Sequence, residues 1–130
     1  MNERLAIVAG SVAVTFGMLA TVLGLGGWAF EQRQLNQHNL RLGRLLDKEP
    51  AASAVRAGIL DEPDTRLVAS HASADTLITL IERPSAERRD IVLGKARKWP
   101  RTDVFAVGPM TYFLYFDTDD VMRDFVCLPG

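Results

Sequence analysis

A chain of 130 residues has room for one small domain beside any long apolar segment, and too little for two. Its formal net charge of −1, from 15 Lys+Arg against 16 Asp+Glu, shows no basic bias of the kind nucleic-acid binding requires. Its single cysteine, Cys127, excludes an intramolecular disulfide and a cysteine-based zinc site within one chain. Leu5 to Phe30 is the first element, 26 residues without a charge. At about 1.5 Å per residue it would reach about 39 Å as a helix, against a hydrocarbon core of about 30 Å. Trp28 and Phe30 close it with aromatic rings that favour a membrane interface. A cleavable signal peptide fits less well, because the charged head is weak and the apolar run is long. The expectation is a single N-terminal transmembrane α-helix over 5–30, preceded by a tail over 1–4.

Within that segment Ala6, Gly10, Ala13, Gly17, Ala20, Gly24 and Gly27 recur at alternating steps of four and three. On a helix these seven form one stripe of small residues, the kind of surface that lets a second helix approach closely in lipid. They are the candidate helix-docking residues. An anchor that is merely rich in Ala and Gly is the plainer reading.

Residues 31–50 read as a juxtamembrane helix. Leu35, Leu42, Leu45 and Leu46 lie on one side, and Pro50 ends it by disfavouring helical geometry in the residue before it. His38 sits in this helix, where a polar contact to a partner is open to it. Residues 51–130 then read as a small α+β domain. Ala51 to Leu60 is a short helix candidate, followed by the turn Asp61-Glu62-Pro63-Asp64. Ser73 or Asp75 caps a helix over about 74–82, with Leu77, Ile78, Leu80 and Ile81 as its apolar positions. Three strands follow, near 104–107, 110–116 and 121–128, separated by Gly108-Pro109 and by Asp117-Thr118-Asp119-Asp120. Short links between them imply an antiparallel meander. The central strand is apolar on both faces, so each face needs a cover.

Between Arg83 and Arg101 lies a basic stretch. Arg88, Arg89, Lys95, Arg97, Lys98, Trp99 and Arg101 are its candidate contacts to anionic lipid headgroups or to an acidic partner surface. A solvated loop is the plainer reading. The carboxylates at 117, 119 and 120 could in principle hold a hard cation, but the calcium-loop pattern is missing, and Asp-rich hairpin turns are common for backbone reasons. His38 and His71 belong to no metal spacing. No metal, cofactor or catalytic residue is expected, since no nucleophile elbow, phosphate loop, dinucleotide fingerprint or Cys-x-x-Cys is present.

The run from Asp75 to Pro84, followed after a gap by Tyr112-Phe113-Leu114-Tyr115-Phe116-Asp117, resembles the small lipoprotein of the bacterial outer-membrane β-barrel assembly machinery. Leu77, Leu80, Ile81 and Pro84 fall where that family's second helix carries Val-x-x-Leu-Leu-Gly-x-Pro, with Glu82 in place of its glycine. The lipid-bearing cysteine of the family is absent. The resemblance covers about the last 60 residues. It implies two helices on a three-stranded antiparallel sheet, a protein-binding rather than enzymatic role, and a periplasmic location.

The resulting expectation is a non-catalytic accessory subunit of a bacterial inner-membrane complex, docking by the small-residue helix face. Its partners would be integral membrane subunits and membrane lipids, and photosynthetic reaction centres or oxidases would be hosts by analogy. The alternatives are an envelope-assembly or chaperone-like binding protein and a small anchored enzyme or ligand-binding domain. The short tail before an uncleaved apolar segment puts residues 31–130 in the periplasm, whereas the Lys and Arg count alone puts them in the cytoplasm.

Overall fold

The computed structural model describes residues 22–81 and 86–129. The chain divides into two units, Met1–Gln37 and His38–Gly130. Helix α1 runs Val22–Asp47, so the described part of the first unit is helical throughout. The second unit holds the end of α1, helix α2 (Ala52–Leu60), strand β1 (Thr65–Ala69), helices α3 (Ala74–Thr79) and α4 (Ala86–Lys98), and strands β2 (Arg101–Val107), β3 (Met110–Phe116) and β4 (Met122–Pro129). The four strands form one antiparallel sheet in the order β1-β2-β3-β4.

Two corrections to the expected fold class follow. Among the described residues no helix is long and apolar enough to cross a membrane. Within the described residues, the apolar part of α1 is Val22 to Phe30, after which come Glu31, Gln32, Arg33 and Gln34. That stretch spans only about 13 Å at about 1.5 Å per residue, less than half a hydrocarbon core of about 30 Å. The transmembrane, single-pass description is therefore not retained. Residues 5–21 of the expected span lie outside the described residues.

The second correction is the sheet, which has four strands rather than three. The added strand, β1, pairs Thr65 with Val107 and Leu67 with Phe105. A register shift then falls between Leu67 and Ala69. That irregularity leaves both Leu67 and Val68 half-buried and erases the alternation by which a strand is read.

Both sheet faces are covered. On one face Val104, Phe113, Tyr115 and Val126 form a buried cluster with Leu77, Ile81 and Val92 from the α3–α4 side. On the other face Phe105, Tyr112, Leu114 and Phe116 are completely buried. Outside the sheet, Leu42 of α1 and Ala52, Val55 and Ile59 of α2 are buried as well. The last three stand at helical spacing, one face of α2. The result is a sheet between two helical layers, which explains why β3 is apolar on both sides.

Local chemistry sets the element ends. Ser73 is the N-cap of α3, its Oγ accepting the Thr76 N–H at 3.3 Å. Gly108 has φ +55° and precedes Pro109 in the two-residue turn between β2 and β3, where glycine meets a conformation strained for other residues. Helix α4 stops before Pro100, whose ring disfavours helical geometry at Trp99. Ser73→Ala is expected to cost about 0.5–1 kcal/mol in urea unfolding, with Ser73→Asp retaining most of the stability.

Helix α4 was not expected from the sequence. Its apolar residues Ile91, Val92 and Leu93 are consecutive, and only Val92 is fully buried. The period of 3.6 that identifies a helix is absent there. Helix α3 also ends at Thr79, short of the expected 82, because Leu80 already serves as its C-cap.

Candidate functional site

Three features carry the unit's polar chemistry: the exposed face of α4 and two polar clusters. The expected basic stretch is this helix and the start of β2, not a loop. Lys95, Arg97 and Lys98 in its last turn and Glu87 in its first suit the helix dipole, whereas Arg88 and Arg89 near its start oppose it. The fold uses several of them internally. Lys95 Nζ donates to Asp124 Oδ1 at 2.8 Å and to the Phe125 carbonyl at 3.1 Å. Arg88 is half-buried, and Trp99 packs against the core cluster with Lys98 Nζ 5.4 Å from its ring centroid. Arg89, Arg97 and Lys98 remain exposed.

The exposed side of α4 has a definite pattern. Glu87, Ile91, Gly94 and Lys98 recur at helical spacing and all face solvent, with Arg97 beside Lys98. Ile91 is 44% exposed and Ile78 of α3 is 41% exposed. A Cβ added at Gly94 would meet nothing within 4 Å. This is a shallow stripe with an apolar residue, a side-chain-free step and a cationic end.

The first polar cluster is built at the start of β2. Asp103 is only 1% exposed. Arg101 grips it with two bonds, Nε to Oδ1 at 3.0 Å and Nη2 to Oδ2 at 2.9 Å. Arg101 also reaches Asp120 at 3.1 Å, and its guanidinium lies 5.3 Å from the ring centroid of Phe116, its cross-strand partner. Bonding to Asp103 first, and then to Asp120, raises the already high pKa of Arg101. The carboxylate in addition accepts the His71 backbone N–H at 3.1 Å and the Ser70 hydroxyl at 3.3 Å. His71 holds φ +53° to present that N–H.

Ser70, His71 and Asp103 are close together, but they do not form a catalytic triad. Asp103 accepts from the serine hydroxyl and from the histidine backbone, whereas a triad acid must orient the imidazole ring. The cluster ties the loop after β1 to β2.

The second cluster crosses from α1 to the sheet. Tyr112 of β3 hydrogen-bonds through its hydroxyl to His38 Nδ1, with the rings edge to face at 5.5 Å. Arg41 Nη1 lies 3.5 Å from the same hydroxyl, and its guanidinium stands 5.9 Å from the Tyr112 centroid. Arg41 also pairs with Glu62 in the turn after α2. Cys127 is directly opposite Tyr112 in the β3–β4 register. Burial pushes Tyr112 up to about 12 and Cys127 up to about 12, so both are protonated at neutral pH. His38 is shifted below its ordinary 6.5, first by burial and then by Arg41, with Glu62 opposing.

The Asp117 turn is accounted for by its own backbone. Asp117 Oδ1 accepts the N–H groups of Asp119 and Val121 at 2.8 and 3.1 Å, and Arg123 Nε donates to Oδ2 at 2.7 Å. Arg123 first, and then the Val121 N–H, hold this carboxyl below the usual range. Among the described residues no group of three or more His, Cys, Asp or Glu is arranged to hold a metal ion.

Of the expected helix-docking residues, Ala6, Gly10, Ala13, Gly17 and Ala20 lie outside the described residues, while Gly24 and Gly27 fall in α1. Sequence reading missed Asp103, Arg41, Glu62 and Tyr112 as polar partners. Asp103 lay outside the expected strand 104–107, and β2 in fact begins at Arg101 and takes it in. Comparison with protein-family models, with characterised proteins and with solved structures finds no match.

Proposed function

We propose that this chain is a non-catalytic accessory subunit that binds a partner protein through the exposed face of α4. The observation that carries the reading is the solvent-facing stripe Glu87, Ile91, Gly94 and Lys98, with Ile91 exposed and open space above Gly94. A glycine in an exposed helix interior costs about 1 kcal/mol relative to alanine. Here no contact within the described fold returns that cost. A partner that lays a backbone or a flat apolar surface over Gly94 would do so, with Ile91 as its buried anchor. Arg97 and Lys98 ask for acidic groups on that partner near the helix end.

The experiment is affinity purification of the tagged full-length protein from its own cells, with quantitative mass spectrometry. The wild type is expected to retain one partner at fixed stoichiometry. Gly94→Gln should reduce its retention at least about tenfold, because a side chain then fills the approach path while the helix gains propensity. Charge reversal at Arg97 and Lys98 should weaken retention in a salt-dependent way. Arg56→Glu, on the exposed side of α2, serves as control. Equal retention by wild type and Gly94→Gln, or the absence of any stoichiometric partner, would overturn the reading.

A further inference from the structure

The His38–Tyr112 contact has a direction that charge can reverse. The Tyr112 hydroxyl has one proton and sits between two groups. Arg41 can only donate, so its Nη1 at 3.5 Å is served by the oxygen lone pair. The hydroxyl proton is then free to go to His38, whose Nδ1 accepts it in the tautomer that is protonated at Nε2. In that arrangement His38 is a neutral imidazole carrying its own proton on Nε2. A proton added at Nδ1 would meet the Tyr112 O–H head-on. Even after the hydroxyl rotates, two cations, Arg41 and His38, converge on one phenol oxygen in a half-buried place.

Among the described residues, four charged or titratable groups surround the imidazole. Arg41 approaches from α1 and Glu62 from the turn after α2. Tyr112 comes from β3, and Cys127 stands across from it on β4. Glu62 is the only anion among them, and Arg41 already pairs with it. The other two are neutral at physiological pH, since burial raises both. Nothing in the cluster is left over to stabilise a second cation. The contact joins α1 to the centre of the sheet, four residues before Leu42, which is completely buried.

We propose that His38 and Tyr112 form a proton-operated latch, in which uptake of one proton at His38 Nδ1 releases residues 38–47 of α1 from the sheet and uncovers the apolar face around Tyr112. No covalent bond changes: the imidazole gains a proton from solvent, and the phenol keeps its own and turns away. The inference is independent of the α4 surface, which lies on the opposite face of the sheet.

The sign follows from linkage. The folded form binds the His38 proton more weakly than the unfolded form does, because its pKa lies below 6.5. The latch's contribution is complete above that value and is lost as the pH falls from it through the lower folded value.

The test uses the full-length chain, with amide exchange in residues 38–47 measured between pH 7.5 and 5 and corrected for intrinsic exchange. The opening constant is expected to grow by up to about tenfold per pH unit in the lower part of that range. His38→Gln, neutral throughout, should remove this dependence. Nuclear magnetic resonance titration of the imidazole supplies a second reading in a His71→Asn background, where His38 is the only histidine. It should titrate below 6.5, and Tyr112→Phe should move its midpoint. An unchanged pH slope in His38→Gln, or a His38 midpoint at or above 6.5, would overturn the latch. Should His38→Gln fail to fold, the titration decides alone.

Discussion

Replacing Asp103 with alanine is expected to lower the unfolding free energy by about 3–5 kcal/mol, the cost of removing one partner from a buried ion pair. Arg101 is the reason for the size of the effect. Its side chain is only 15% exposed, and two of its donors point at the Asp103 carboxylate. Truncation leaves that guanidinium with Asp120 as its one ion-pair partner, itself largely solvated, and a long 3.5 Å contact to the Ser70 hydroxyl. It also leaves the His71 backbone N–H without its acceptor. For a unit of this size, a loss of about 3 kcal/mol corresponds to a melting temperature lower by roughly 12–24 °C. Asp103→Asn should lose less, because an amide oxygen still accepts from His71 and Ser70. A loss below about 1 kcal/mol in Asp103→Ala would mean that Arg101 finds water readily, and that the cluster is not what holds the loop to β2.

Phe113→Ala is expected to cost about 3–5 kcal/mol in denaturant unfolding, with the midpoint shifted and the slope little changed. Phe113 is completely buried at the middle of β3, in the cluster it shares with Leu77, Ile81, Val92 and Val104. Those neighbours come from two helices, from the segment just past α3, and from the adjoining strand, which pairs Val104 with Phe113 directly. They cannot close over the missing ring without moving the helices off the sheet. Phe113→Leu keeps most of the volume and should cost under about 1.5 kcal/mol. If the two variants were equally stable, the α3–α4 layer would have to be loosely packed, which the burial of Val92 and Tyr115 opposes.

Legibility from sequence varied by element, for physical reasons. Strand β3 was readable because its apolar run is bounded by Gly108-Pro109 and by the Asp117 turn, signals that act within a few residues. The two-sided apolar character of that strand correctly demanded a cover on each face. Helix α4 was not readable, since Ile91-Val92-Leu93 has no helical period and its cations looked like a solvated stretch. The cations at its C-terminal end, Lys95, Arg97 and Lys98, make sense against the helix dipole only with the helix axis known. Strand β1 was hidden by its shortness and its register shift. Of the seven expected cationic and aromatic contacts, Lys95 and Arg101 are partners of Asp124 and Asp103 within the fold, while Arg89, Arg97 and Lys98 stay outward.

Composition and local pattern alone determined that this is a chain with one cysteine, a meander of β2, β3 and β4, and a helix starting near residue 74. Each of these rests on residues close in sequence, or on the mere count of a residue type. Tertiary structure decided which polar residues meet. His38 and Tyr112 are 74 positions apart, Arg41 and Tyr112 71, and His71 and Asp103 32. No local propensity encodes such pairs. They arise when two helical layers close on opposite faces of a sheet, and a buried donor or acceptor must then find its partner among whatever the closure brings within reach.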